Sequence, residues 1–133
     1  MEDHQLRNAI TSNFDTYRGC AIAIADIESE DLRIIASQAA DEMLNISGIQ
    51  SSYVLYRTGD IVNISARSMG AMNVQLIMEM LGGGGHQTMA AAQLSNISVS
   101  DAKVRLLQVI DQFYAQINAQ EEAPQERPEE MQN

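Results

Sequence analysis

The alternation of apolar and polar positions divides the chain into short, clearly typed segments. Cys20 to Ala25, CAIAIA, is a continuous apolar run. Its length and its two isoleucines predict a strand buried on both faces. Downstream, Leu32, Ile35, Ala36, Ala39 and Met43 recur at helical spacing and form one apolar stripe, with Ser29 or Asp26 as the expected cap and Gly48 just past the end. SSYVLYR and DIVNISARS follow, joined by Thr58-Gly59, and their β-branched and aromatic content predicts a hairpin. In the second of these strands Ile61, Asn63, Ser65 and Arg67 share one side, and Val62, Ile64 and Ala66 share the other. The apolar side belongs to the core; the polar side ends on an arginine.

MNVQLIMEML places Val74, Ile77, Met78 and Leu81 on one helical face, and Gly82 follows as a C-terminal cap. AAQLSNISV reads as a further strand. SDAKVRLLQVIDQFYAQIN reads as a helix capped by Ser98 or Ser100, with Leu106, Val109, Ile110, Phe113 and Ile117 as its buried stripe. The opening segment, about Glu2 to Tyr17, is weakly patterned and is expected to be helical. The resulting order is helix, strand, helix, hairpin, helix, loop, strand, helix. It predicts an α/β fold with one domain, a mixed sheet of about four to five strands and flanking helices. Residues 1–18 are then a helical linker segment, 19–118 the folded domain and 119–133 a disordered acidic tail that holds both prolines and five glutamates.

Between helix and strand stands LGGGGHQTMAAAQL, residues 81–94, in which four of the eight glycines precede one of the two histidines. Ordering four glycines forfeits roughly 2–4 kcal/mol relative to alanine. Flexible linkers mix glycine with serine and polar residues, whereas Met80-Leu81 and Met89-Ala90-Ala91-Ala92 bracket this run. It reads as an ordered loop whose amides cradle an anion, as a tight turn, or as a hinge.

Composition narrows the function classes. With 133 residues, 45% of them hydrophobic, the chain suits one packed domain, and no apolar run is long enough to cross a membrane. Cys20 lies in an apolar run and is expected to be a small buried core residue. The net charge is −10, with seven arginines and one lysine. That balance disfavours a general nucleic-acid-binding module, but one or two arginines suffice for a phosphorylated ligand. The sequence offers no cluster with metal-ligand spacing. ISARS is not a nucleophile elbow, and GGGGHQT lacks the Lys-Ser/Thr of a Walker loop. What remains is a set of donors: Arg67, His86 and the backbone of Gly82, Gly83, Gly84 and Gly85. Donors bind phosphate. The alternatives are a surface salt bridge for Arg67 and a solvent-facing loop position for His86.

The stretch NISARSMGAMNVQLIMEMLGGGGHQTMAAAQL resembles the DHH-associated domain at the C-terminus of DHH phosphodiesterases. It is most similar to the version in membrane-anchored cyclic-di-AMP phosphodiesterases of Gram-positive bacteria. The Ser-x-Arg-Ser strand, the Asn-Val-x-x-Ile helix and the Gly-Gly-Gly-Gly-His loop occur together and in order, and the resemblance spans about Gly19 to Ile117. It implies the substrate-binding half of a phosphodiesterase, with phosphate contacts from Arg67, the glycine-loop amides and His86. It also implies weaker polar contributions from Asn73, Ser65 and Ser68. No catalytic residue and no metal ligand is implied in this chain. Two manganese ions are expected in a DHH domain of the same polypeptide, which this sequence lacks: Asp3-His4-Gln5 does not restore the motif. The expected ligand is a cyclic or linear dinucleotide, homodimerisation is left open, and the domain is expected in the cytosolic part of a membrane-anchored protein without touching the membrane itself. An excised domain, with Met1 not its natural start, follows as an expectation, and so does inactivity alone. The competing readings are a nucleic-acid-binding domain of a related exonuclease or tRNA synthetase, and a non-catalytic interaction domain.

Overall fold

The computed structural model describes residues 3–122. Its elements are α1 (Asp3–Thr11), β1 (Phe14–Tyr17), β2 (Cys20–Ala25), α2 (Leu32–Met43), β3 (Ser51–Thr58), β4 (Ile61–Ser68), α3 (Val74–Glu79), β5 (Gly84–Gly85), β6 (Met89–Ser95) and α4 (Val99–Glu122). The strands form one sheet in the order β1-β2-β3-β4-β6-β5. β2 and β3 run parallel and are connected through α2; the other neighbouring pairs are antiparallel. The mixed α/β class is as the hydrophobic pattern predicts.

Strand parity sends side chains to two cores. Cys20, Ile22, Tyr53, Leu55, Val62, Ile64 and Ala66 face one side and pack with α3 and α4. Ala21, Ala23, Ala25, Val54 and Tyr56 face the other and pack under α1 and α2. The α2 stripe of Leu32, Ile35, Ala36, Ala39 and Met43 is fully or nearly fully buried, and in α4 Leu106, Val109, Ile110 and Phe113 are buried while Ile117 is partly so. Cys20 is buried in the first core, where Ser51 Oγ lies 3.2 Å from its sulfur; burial pushes its thiol pKa up. It is an inert packing residue.

Several local expectations are corrected. The opening helix stops at Thr11, and Phe14–Tyr17 is a strand. Arg18 and Gly19, at φ 53° and 81°, turn it back so that Tyr17 opposes Cys20. With β1 and the two-residue β5 the sheet has six strands rather than four or five. The last helix continues through Ala119 to Glu122, where a tail was expected; residues 123–133, the rest of that tail, lie outside the described residues. α2 starts after Asp31, whose side chain makes no capping bond. Ser29 Oγ instead accepts the Asp31 N–H at 3.2 Å, and Asp26 takes no part. Ser98 does cap α4, accepting the Asp101 N–H at 3.0 Å.

Candidate functional site

α2 covers only part of the sheet face it packs on. By register Asn63, Ser65 and Arg67 on β4 share that face with Gln93, Ala91 and Met89 on β6. The three β4 residues are buried beside α2, whereas the three β6 residues are exposed. The uncovered strip is the floor of a cleft of about 390 Å³. One edge of α2 forms one wall and the turn at His86 the other, while Gly84, paired opposite Ala91, extends the floor.

The α2 edge repeats at helical spacing: Arg33, Ser37 and Asp41 lie one turn apart. Ser37 Oγ is 3.4 Å from Ser65 Oγ, and Asp41 Oδ1 is 3.1 Å from Arg67 Nε. The Arg67 contact is an ion pair without hydrogen-bond alignment, since that Nε–H finds no acceptor. Nη1 donates to Ala66 O at 2.8 Å and to Ser65 Oγ at 3.3 Å. Nη2 has no protein acceptor among the described residues. Arg67 is 9% exposed, so its stem is clamped while part of its fork faces the cleft.

Each glycine of the loop has its own physical reason. Gly82 sits at φ 83° and donates to Glu79 O at 3.0 Å; Gly83 donates to Met78 O at 2.8 Å. Together these bonds are the Schellman closure of α3, as the capping expectation for Gly82 anticipates. Both amides are thereby consumed by the helix end. A Cβ on Gly83 would lie 2.1 Å from Ala91 O, and one on Gly85 2.5 Å from the Ala90 Cα, so backbone crowding against β6 requires glycine at both. Gly84 differs: a Cβ there would meet nothing within 4 Å, and its opposition to Ala91 turns it toward the cleft. His86 follows in a tight turn, its N–H bonded to Met89 O at 2.6 Å. Its imidazole is exposed, lines the cleft and takes no protein hydrogen bond among the described residues.

Arg67, His86, Gly84, Gly85 and Ser65 therefore share one cleft. Gly82, Gly83, Asn73 and Ser68 do not line it. Asn73 is the N-cap of α3, its Oδ1 accepting from Gln75 N at 3.0 Å and Leu76 N at 3.4 Å. Ser68 Oγ donates to Gln87 O at 3.2 Å and bridges to Gly70 N. Sequence reasoning missed Arg33, Ser37, Tyr56, Asn63 and Gln93 as cleft residues. For Asn63 a signal existed, because it continues the polar face of β4 with Ser65 and Arg67; Gln93 shares its face with Met89 and Ala91, which marks nothing. For Arg33 none did, since its place depends on where α2 crosses the sheet.

Electrostatically the cleft departs from the chain as a whole. Arg33, Arg67 and His86 line it, and the carboxylate beside them, Asp41, is already paired with Arg67 Nε at 3.1 Å, in a protein of net charge −10. Such a site can hold an anion by charge-assisted hydrogen bonds. Among the described residues no group of three or more His, Cys, Asp or Glu side chains is arranged to hold a metal ion. The donor set here does not fit manganese.

A mixed-sheet α/β domain with a cleft lined by two arginines and a histidine on one sheet face is the class that fold and site define. The chain belongs to the DHHA1 domain family, whose sequence pattern matches residues 19–116. It is 42% identical over 110 residues to the cyclic-di-AMP phosphodiesterase PdeA of Listeria monocytogenes, covering 81% of this chain and 17% of that protein. It is 48% identical over 98 residues to the cyclic-di-AMP phosphodiesterase GdpP of Bacillus subtilis, covering 70% of this chain and 15% of that protein. The chain thus spans about a sixth of the length of these relatives. Among solved structures, an exopolyphosphatase-related protein from Bacteroides fragilis shares the fold at a TM-score of 0.64 and 19% identity, over 86% of this chain and 34% of that one.

Proposed function

We propose that this domain is the substrate-gripping half of a cyclic-di-AMP phosphodiesterase. The observation that supports it most is a clamped arginine with a free Nη2, facing the same cleft as an unpartnered imidazole. The ligand is a dinucleotide. Arg67 supplies a fixed fork for a phosphate oxygen, His86 an N–H from the opposite wall, and Gly84 an open floor. In a strand, successive N–H groups point to opposite sides, so one amide of the Gly84-Gly85 pair is turned away from β6 and can add a donor. A DHH domain of the same polypeptide carries the metals, manganese in the family resemblance, and supplies the hydrolytic chemistry. This chain binds and orients. The full-length protein is placed at a membrane with this domain on its cytosolic side; no helix among the described residues is itself long and apolar enough to cross a membrane.

The test is a nuclear magnetic resonance titration of the 133-residue chain with cyclic-di-AMP. Shift changes are expected to cluster at Ser65, Arg67, Gly84, Gly85 and His86, and Arg67→Ala is expected to weaken binding at least tenfold. Shifts centred elsewhere, or equal affinity in the Arg67→Ala chain, would overturn the reading.

A further inference from the structure

The cleft has a second end, away from Arg67, formed by Tyr56, Asn63 and Gln93 together with Arg33. It lies four β4 residues from Arg67, about 13 Å along the strand at the usual rise. That length accommodates a phosphate and a heterocycle held at the same time.

Hydrogen bonding at this end has a fixed direction. Asn63 Nδ2 lies 3.3 Å from Tyr56 O and 2.8 Å from Thr58 Oγ1. A backbone carbonyl can only accept, so the Asn63 amide must turn its nitrogen that way and its Oδ1 the other way. Asn63 Oδ1 then accepts from Gln93 Nε2 at 3.3 Å. This in turn orients Gln93: its nitrogen faces Asn63, and its Oε1 is left facing outward with no protein donor among the described residues. Asn63 is 7% exposed, so the relay is anchored, whereas Gln93 at its end is exposed in the cleft. Arg33 and Tyr56 flank this position.

We infer that this end of the cleft is a nucleobase subsite in which Gln93 Oε1 accepts a hydrogen bond from the exocyclic amine of a 6-aminopurine, its orientation set by the Thr58–Asn63–Gln93 relay. The inference rests on the dinucleotide reading above and adds the group that reads the base. An acceptor held by a buried relay favours a ligand that donates at that point and disfavours one that does not, because the oxygen is then desolvated without a partner. Arg33 and Tyr56 supply surfaces against which a flat ring can rest.

The experiment compares two linear dinucleotides on the full chain: 5′-phosphoadenylyl-adenosine and its counterpart with purine riboside in place of both adenosines. The first is expected to bind about 3- to 10-fold more tightly, the weight of one hydrogen bond. Gln93→Met keeps the length of the side chain and removes both polar atoms. It is expected to equalise the two ligands, by weakening the adenosine ligand more than the purine riboside ligand. Arg67→Ala is expected to weaken both ligands alike. If Arg67→Ala weakens both but Gln93→Met keeps the wild-type preference, the base assignment fails and the phosphate assignment survives. If Arg67→Ala weakens neither, or neither ligand shifts the cleft resonances, both fall.

Discussion

Four consecutive glycines look equivalent in sequence and are not equivalent in space. Gly83 has no room for a side chain: its Cβ would overlap Ala91 O at 2.1 Å. Gly83→Ala must push β6 or the end of α3 aside, and it is expected to cost about 1–3 kcal/mol of stability or more. Gly84→Ala places a methyl in open space on the cleft floor. Its stability is expected to stay within about 0.5 kcal/mol of the parent, while its affinity for a dinucleotide falls. Urea denaturation and ligand titration of both variants check the pair; a Gly84→Ala chain that binds normally would show that the open floor has no role in recognition. The sequence showed that ordering this run is costly and left three uses open. It could not show that the cost divides among a helix cap, two close approaches and one exposed floor. That division depends on β6, which pairs with the loop only after the chain has turned at His86.

At the scale of elements, α3 presents two separable roles. Asn73 stands next to the cleft in sequence but not in space, and its carboxamide holds the first turn of α3. Asn73→Ala is expected to cost about 1 kcal/mol, the usual value of a lost cap, with Asn73→Ser largely restoring it and dinucleotide affinity unchanged in both. A loss of affinity with no loss of stability in Asn73→Ala would instead make it a ligand contact. β1 is the other informative element, because it is held from outside the sheet. Tyr17 and Arg18 both donate to Asp111 on α4, each at 2.8 Å, and these bonds hold the Asp111 carboxyl below its ordinary value. A depressed folded value means that the contribution is complete above the ordinary carboxylate range and disappears as pH falls through the folded value. Wild type is therefore expected to exceed Asp111→Asn in melting temperature at pH 7, with the gap closing between about pH 5 and pH 2. A gap independent of pH would assign the effect to packing. Strand β1 escaped the hydrophobic pattern because it has only four residues and its turn uses a non-glycine at positive φ. By contrast α2, β3, β4 and α4 were legible, because long amphipathic or alternating segments bury what their period predicts.

At the scale of the molecule, charge is distributed against its average. The chain carries −10, yet the cleft is lined by two arginines and a histidine, with Asp41 beside them paired to Arg67. At physiological ionic strength the screening length is about 8 Å, so a ligand seated on Arg67 feels Arg33, His86 and the Asp41 carboxylate already paired with Arg67 at 3.1 Å more than the acids elsewhere on the chain. A long nucleic acid that overruns the cleft meets those acids. Convergence of these cations was not legible from spacing, because it requires β6 to pair beside β4 and α2 to cover β4 but leave β6 open. The same geometry bounds what the chain can do without a partner. Its described residues hold no cluster of three metal-ligating side chains, and it spans only 17% of the PdeA relative. Phosphodiester hydrolysis demands an activated nucleophile and stabilisation of charge on the leaving oxygen, and neither Arg67 nor His86 has a neighbouring group placed to generate that nucleophile. Incubated with manganese and cyclic-di-AMP, the purified chain is therefore expected to form no linear dinucleotide above background, as resolved by chromatography. The same preparation should still show the Arg67-dependent shifts of binding. Turnover that survives repurification and disappears in His86→Ala would instead place the reacting centre inside this cleft and reverse the division of labour proposed between the two domains.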